Sequence, residues 1–233
     1  MAVVKVSWSG GKDSTCALWM HLQQGDTVKA VCYIPMLTDD IPLIMPEHYD
    51  FILNTADRFR AMGAEVHIVS GMTYVEYFTH IAQRGCNKGR IFGFPYFSNC
   101  GFRRDSKIKA CQLDVGAFDY EDVGIAYGET KRYGQLNDKK RSILKEHEVT
   151  EQEAFIICGV NDLLSPHYYG NNRDGCALCP NKKKEERDMW FAAYPEAKQI
   201  VWDLQELQKK WKPNTYPLRE YKWFLYENDM ESI

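Results

Sequence analysis

The chain has 233 residues, of which 45% are hydrophobic and 26% charged, enough for one large α/β domain or one domain with an appendage. A net charge of −3 excludes a global positive field that would recruit nucleic acid. No apolar run reaches roughly 18 residues and "MAVVKV" lacks a secretory pattern, so no membrane span is expected; the eight cysteines then point to metal, cluster or core roles in the cytoplasm rather than to disulfides.

Residues 2–8 read as a buried strand, short, valine-rich and closed by glycines. "SWSGGKDST" overlaps its end, and "DSTCALWMHLQQG" reads as a helix stopping at Gly25. A strand, a glycine turn and a helix start present unpaired backbone N–H groups at the positive end of a helix dipole, which is a phosphate-binding geometry. Gly10 and Gly11 let the backbone close on an anion, Lys12 adds a cation, and Ser9 and Ser14 can donate hydroxyls. Asp13, at the helix start, suits a cap or a magnesium ligand.

The run 27–34 is a second strand, followed by a proline-punctuated loop, a helix over 47–63 closed by Gly63, a strand over 64–69 and a helix over 73–85. "DVGIAYG" (122–128) is a fourth strand. This alternation predicts an α/β fold, a twisted parallel sheet with helices on both faces and ligands at the carboxyl ends of the strands. From about residue 130 the chain turns polar and basic. Thr150 and Glu153 have capping-box spacing, and 195–211 is a helix whose Ala197, Ile200, Val201, Leu204 and Leu207 form a core stripe. The aromatic-rich end, from residue 216, is expected to dock on the body. The division drawn from this is 1–135, a nucleotide-binding α/β domain, and 136–233, a mainly helical region.

"CALC" at 176–179 is a knuckle able to aim two thiolates at one metal ion; a redox pair is the other reading, but no thioredoxin-like context surrounds it. Cys100 and Cys111 are the upstream candidates. A continuous helix over 101–111 would hold them roughly 16 Å apart, whereas each zinc–sulfur bond spans only about 2.3 Å. Either Gly101 permits a bend or one of the two is not a ligand. Cys100 is the first choice, Cys111 the tentative fourth ligand and His167 the reserve. Cys16, Cys32 and Cys158 read as small buried hydrophobes, and Cys86 stays open.

The glycine loop has neither the Walker A nor the Rossmann spacing. "SGGKDS" resembles, at all six positions, the signature of the PP-loop ATP pyrophosphatase superfamily. With "CGFRRDSKIKAC" (100–111), "GIAYGETKR" (124–132) and "RDGCALCP" (173–180), in that order, the chain is similar to the phosphoadenosine phosphosulfate (PAPS) reductase family in its broad sense, especially its small prokaryotic and phage members. The resemblance implies an adenine nucleotide alpha hydrolase-like fold. It implies that Ser9, Gly10, Gly11, Lys12, Asp13 and Ser14 grip the pyrophosphate of ATP or a related adenine nucleotide, with Mg²⁺, and that Lys12 and Asp13 serve the chemistry. Lys107 and Lys109, with Arg103 or Arg104, would bring positive charge, and Glu129 and Arg132 would line the same crevice. It also implies a cysteine site, zinc or a 4Fe–4S cluster, built from Cys100, Cys176 and Cys179, with Cys111 as the tentative fourth.

Reductases of this family carry a catalytic cysteine in a C-terminal Glu-Cys-Gly-Ile-His-type tail, whereas the last cysteine here is Cys179. Thiol attack on a sulfonucleotide then has no evident agent. The expected activity is therefore cleavage of ATP to AMP and pyrophosphate, adenylylating an acceptor in sulfur transfer or nucleic-acid modification. The alternatives are a sulfonucleotide reductase using an external thiol, and a non-catalytic nucleotide-binding regulatory module. Candidate partners are RNA or DNA, guided by basic patches at 103–109, 139–145 and 182–187, a sulfur-donor protein, and a second copy of the chain. Those patches read equally as solvated surface.

Overall fold

Valine-containing runs form the strands β1 (Val3–Trp8), β2 (Thr27–Tyr33), β3 (Glu65–Val69) and β4 (Tyr120–Val123), of which β1 and β2 are the most buried, and a short β5 (Lys140–Arg141) completes them. The helices are α1 (Lys12–Gln23), α2 (Pro46–Ala61), α3 (Tyr74–Thr79), α4 (Ile143–Glu146), α5 (Glu151–Val160), α6 (Lys184–Ala193) and α7 (Pro195–Trp211). The computed structural model describes residues 1–85, 87–94, 100–170, 175–179, 181–211, 225 and 227–230. Cys86, Arg173, Asp174, Pro180 and most of the chain after 211 lie outside the described residues.

The strands make one five-stranded sheet in the order β3-β2-β1-β4-β5, with every pairing parallel and helices flanking it. From β1 the chain steps to β2 and β3 on one side, then returns to place β4 on the other. The direction reverses between β1 and β4. Where strand order reverses, the two crossovers leave a crevice at the carboxyl ends of the strands.

The chain divides into two compact units. The first comprises Met1–Ile34, Glu47–Val69 and Ala110–Asp174; the second comprises Pro35–Pro46, Ser70–Lys109 and Gly175–Ile233. Both are discontinuous, so neither coincides with the stretches 1–135 and 136–233.

The first unit holds the whole sheet, with α1 packed against β1 and against α4 and α5. Val4, Val6, Ala30 and Cys32 are fully buried in it, as are Cys16, Ala17 and Leu18 of α1 and Cys158 of α5. Two lysines interrupt the strands, Lys5 and Lys29, which are register partners. Their ammonium groups donate to chain carbonyls, Lys5 to Cys111 at 3.0 Å and Lys29 to Val115 at 2.6 Å. Segment 111–117 thus supplies the acceptors that allow two cations in a buried sheet.

The second unit is built on aromatic packing. Tyr74, Phe78, Phe94, Phe102, Trp190 and Phe191 form its core together with Ala197, Val201 and Leu204 of α7. Of the predicted stripe on α7, Ala197, Val201 and Leu204 are buried and Ile200 and Leu207 are partly buried, while Gln205 and Gln208 are buried beside them. Gln205 exchanges two hydrogen bonds with the Leu225 backbone, 2.8 and 2.9 Å, and Gln208 accepts from Phe94 N–H at 2.9 Å. These amides join distant backbone to the helix, which no periodicity of apolar residues announces.

Two element boundaries differ from expectation. The helix predicted over 73–85 ends at Thr79, because Ile81 bridges to Ile91 and Ala82 N–H donates to the Arg90 carbonyl at 2.9 Å, making extended pairing of what reads as a last helical turn. The strand predicted over 122–128 runs instead from Tyr120 to Val123 and stops before Gly124, whose backbone lies against α1. No helix among the described residues is long and apolar enough to cross a membrane.

Candidate nucleotide site

The glycine loop leaves the carboxyl end of β1, at the reversal of strand order, and runs into α1. Both ends are pinned: Trp8, at the end of β1, donates its indole N–H to the Thr15 hydroxyl at 2.9 Å and packs edge-on against Phe59. Inside the turn, Ser9 N–H donates to Ser14 Oγ at 3.1 Å, and the Ser14 hydroxyl can donate to the Gly11 carbonyl at 3.0 Å. The two serines therefore shape the loop itself. Gly10 has φ +75°, and a Cβ there would lie 2.6 Å from Ile52 Cγ1 and 2.9 Å from His48 Cε1. Only glycine fits.

Gly11 is the N-cap of α1 and brings no side-chain hydrogen bond, so the first amides of the helix take none from their own cap. Asp13 is not the cap. It sits in the first turn, and its two carboxylate oxygens lie 2.8 and 2.9 Å from Lys12 Nζ. Glu151, the first residue of α5, reaches the same ammonium at 3.1 Å. Burial disfavours the charge on Lys12, but Asp13 and Glu151 outweigh it and hold the pKa above its ordinary value. Asp13 is pushed above the usual carboxylate range, by burial first and by the charges of Glu151 and Glu129, against the pull of Lys12. Lys12 thus faces two carboxylates, Asp13 and Glu151.

Glu129 follows β4; its carboxylate accepts from Ala126 N–H at 2.9 Å and pairs with Arg132 at 2.9 Å. Gly124, between β4 and this stretch, touches the first turn of α1, where a Cβ would lie 2.6 Å from Ser14 N. Residues 9–14, Glu129 and Arg132 all belong to the first unit.

Arg103, Arg104, Lys107 and Lys109 belong to the second. They lie on a helical stretch over 101–110 that widens to π winding at Arg103–Ile108. Asp105 pairs with Arg104 at 2.5 Å and with Lys109 at 3.6 Å, and both carboxylate and guanidinium are thereby stabilised as ions. Gly101, at its start, is pressed on the Tyr77 hydroxyl, 2.3 Å from where a Cβ would be.

Cys100, Cys176 and Cys179 share the second unit. Burial chiefly raises the Cys100 thiol, and Cys179 adds to it; burial likewise raises Cys176, with Cys179 and Cys100 adding. Arg103 N–H donates to Cys100 Sγ at 3.4 Å, and Leu178 N–H bonds Cys176. Cys179 N–H donates to the Cys176 carbonyl at 3.0 Å, closing the knuckle. Among the described residues no group of three or more His, Cys, Asp or Glu side chains has ligating geometry. Cys111 and His167 lie in the first unit; the Cys111 carbonyl serves Lys5, and His167 Nδ1 is 2.7 Å from Ser165 Oγ.

Three contributors escaped the sequence reading. Glu151 was visible only as the start of a capped helix, and nothing tied it to Lys12. Gly124 read as part of a strand. Tyr168, whose hydroxyl accepts from Lys12 N–H at 2.8 Å, carried no signal at all. No protein-family model matches the chain, and no curated protein matches it.

Proposed function

We propose that the chain is an adenine-nucleotide-binding PP-loop enzyme that cleaves ATP between the α and β phosphates, transferring adenylate to an acceptor and releasing pyrophosphate. The observation that carries the reading is the "SGGKDS" turn at the carboxyl end of β1, where strand order reverses and where Gly10 leaves room only for backbone. In this reading the amides opening α1 hold pyrophosphate oxygens, and Lys12 neutralises the charge that builds on the leaving group. Asp13 and Glu151 are the residues that would hold Mg²⁺, which would supply further charge neutralisation. The resemblance to PAPS reductases supports ancestry more than a reductase activity, since the thiol of the reductase tail has no counterpart after Cys179. Sulfur transfer and nucleic-acid modification are the acceptor classes it suggests.

Calorimetry with ATP and Mg²⁺ tests the site. Lys12→Ala should weaken binding by about 10- to 100-fold, the range for a hydrogen bond to a charged group. Equal affinity in both proteins would remove the site. With a competent acceptor the products should be AMP and pyrophosphate; ADP and orthophosphate would sink the assignment, and sulfite from a sulfonucleotide plus a thiol would put the reductase first.

The cysteines carry a separate expectation. In this reading Cys100, Cys176 and Cys179 would supply thiolates to zinc or an iron–sulfur cluster, which would tie the knuckle to the segment before the π turn. Cys176→Ser should lower zinc or iron content and thermal stability together, because metal binding and folding are coupled. Cys32→Ala, in a strand, should cost packing energy and leave metal content unchanged. Loss of metal from both variants, or from neither, would count against the assignment.

A further inference from the structure

The first amide of α1 is not open. Lys12 N–H donates to the hydroxyl oxygen of Tyr168 at 2.8 Å, across 156 residues of chain. Because the N-cap is a glycine without a side chain, this phenol is the cap the helix uses. A phosphate oxygen and the Tyr168 oxygen cannot both sit in line with one N–H at hydrogen-bond distance. Resting on the nucleotide reading above, we propose that Tyr168 is a specificity gate: its hydroxyl stands where a phosphate oxygen goes, and only a ligand with a charged phosphate at Lys12 displaces it.

The surroundings suit a side chain that moves on a fixed backbone. Tyr168 lies in the short turn Pro166–Gly170 and is half-buried, while Tyr169 beside it is 77% exposed. The turn is anchored through Ser165, whose Oγ is 2.7 Å from His167 Nδ1 and 2.8 Å from His48 Nδ1 on α2. One hydroxyl has a single proton, so it can donate to only one of the two rings, and at least one imidazole bonds it as a donor. His167 and His48 pack edge to face at 4.6 Å, and His48 is the ring beside Gly10. The anchor therefore bears on the glycine loop itself. Tyr168 lays its ring on His167, at 4.1 Å, meets Phe155 edge-on, at 6.3 Å, and sets its hydroxyl on Lys12.

The gate discriminates by charge. A bond from N–H to an anionic oxygen is about twice as strong as one to a neutral oxygen. Pyrophosphate or a nucleotide can therefore replace the phenol at a net gain, whereas an uncharged nucleoside exchanges one neutral acceptor for another and gains nothing.

Calorimetry on the full chain with inorganic pyrophosphate, ATP and adenosine tests this. Tyr168→Phe keeps the ring contacts and removes the competing oxygen, so it should bind pyrophosphate and ATP about 3- to 10-fold tighter than wild type. Tyr168→Leu should also bind tighter, which guards against an effect peculiar to one variant. Adenosine should not bind wild type measurably. Lys12-dependent binding that is unchanged or weaker in Tyr168→Phe would overturn the gate alone, and weaker binding would make Tyr168 a ligand. Absence of any Lys12-dependent binding in all three proteins would overturn the nucleotide reading and the gate with it.

Discussion

Gly124→Ala should destabilise the protein by about 3 kcal/mol, the upper part of the range for overpacking, and should lower nucleotide affinity with it. The reason is the identity of what a methyl group would strike. A Cβ at this position lies 2.6 Å from Ser14 N, 2.8 Å from Ser14 Cα and 2.9 Å from the Asp13 carbonyl carbon. All three are backbone atoms of the first turn of α1, so no rotamer change relieves the clash. Either β4 or α1 must shift, and α1 carries the amides and Lys12. A melting temperature lower by roughly 6–12 °C is the matching observable for a chain of this size. Gly134→Ala is the control: nothing lies within 4 Å of its Cβ position, and its effect should stay within about 0.5 kcal/mol. If Gly124→Ala melts with wild type and binds ATP equally well, the close approach of the β4 exit to α1 is not what positions the loop.

Asp122→Ala should cost more, about 3–5 kcal/mol, the range for removing one partner of a buried ion pair. Asp122 is fully buried and accepts from Ile143 N–H at the start of α4 at 2.7 Å. Its Oδ2 also lies 3.2 Å from Nε2 of His21, an ion-pair distance without hydrogen-bond alignment. Nδ1 of the same ring is 2.9 Å from Asp26, and Tyr120 packs beside it at 6.1 Å. Burial works against the charge on His21, but the two carboxylates outweigh it and raise its pKa. Burial also works against Asp26, yet the Ala2 N–H and His21 hold its pKa below the ordinary carboxylate value.

The signs follow from these directions. The His21 contribution is complete below its unfolded pKa of about 6.5 and is lost as pH rises through the higher folded value. The Asp26 contribution is complete above its unfolded pKa of about 3.9 and is lost as pH falls through the lower folded value. Between those limits both act. In Asp122→Asn the loss of stability on the alkaline side should shrink, since one of the two charges that hold the proton is gone. Urea melts at several pH values measure this. A wild-type stability that rises from pH 6 to 8 while Asp122→Asn stays flat would reverse the sign and refute the account.

Much of the glycine loop's local structure, a strand, a turn and a helix start, was legible because its signals are local. A valine run, two glycines, a lysine and a helix start lie within some twenty residues, and each acts on its neighbours. The strands 27–34 and 64–69 were legible for the same reason. What escaped was decided by partners far off in sequence. β4 ends at Val123 rather than at residue 128 because Gly124 must meet Ser14. α3 ends early because Ile81 finds Ile91. Lys5 and Lys29 looked like flaws in buried strands until the carbonyls of Cys111 and Val115 answered them. Composition shifts near residue 130 suggested one cut through the chain, and they carry no trace of a chain that alternates between units.

That alternation sets a timetable for the protein as it is made. Residues 9–14 leave the ribosome well before Tyr168, the acceptor for Lys12 N–H, which is 156 residues behind. At a synthesis rate of about 5–20 residues per second, the loop waits roughly 8–30 s for it. Glu151 arrives only slightly earlier. During that interval the first unit lacks α5 and the turn that follows, and nascent α1 exposes Cys16, Ala17 and Leu18, which end fully buried. The passages of the chain at 34/35, 46/47, 69/70, 109/110 and 174/175 also mean that no single cut separates the two units. A cut at 34/35 or 174/175 keeps one unit whole only with pieces of the other attached, and a cut at 46/47, 69/70 or 109/110 breaks both, so the two are inherited and expressed together.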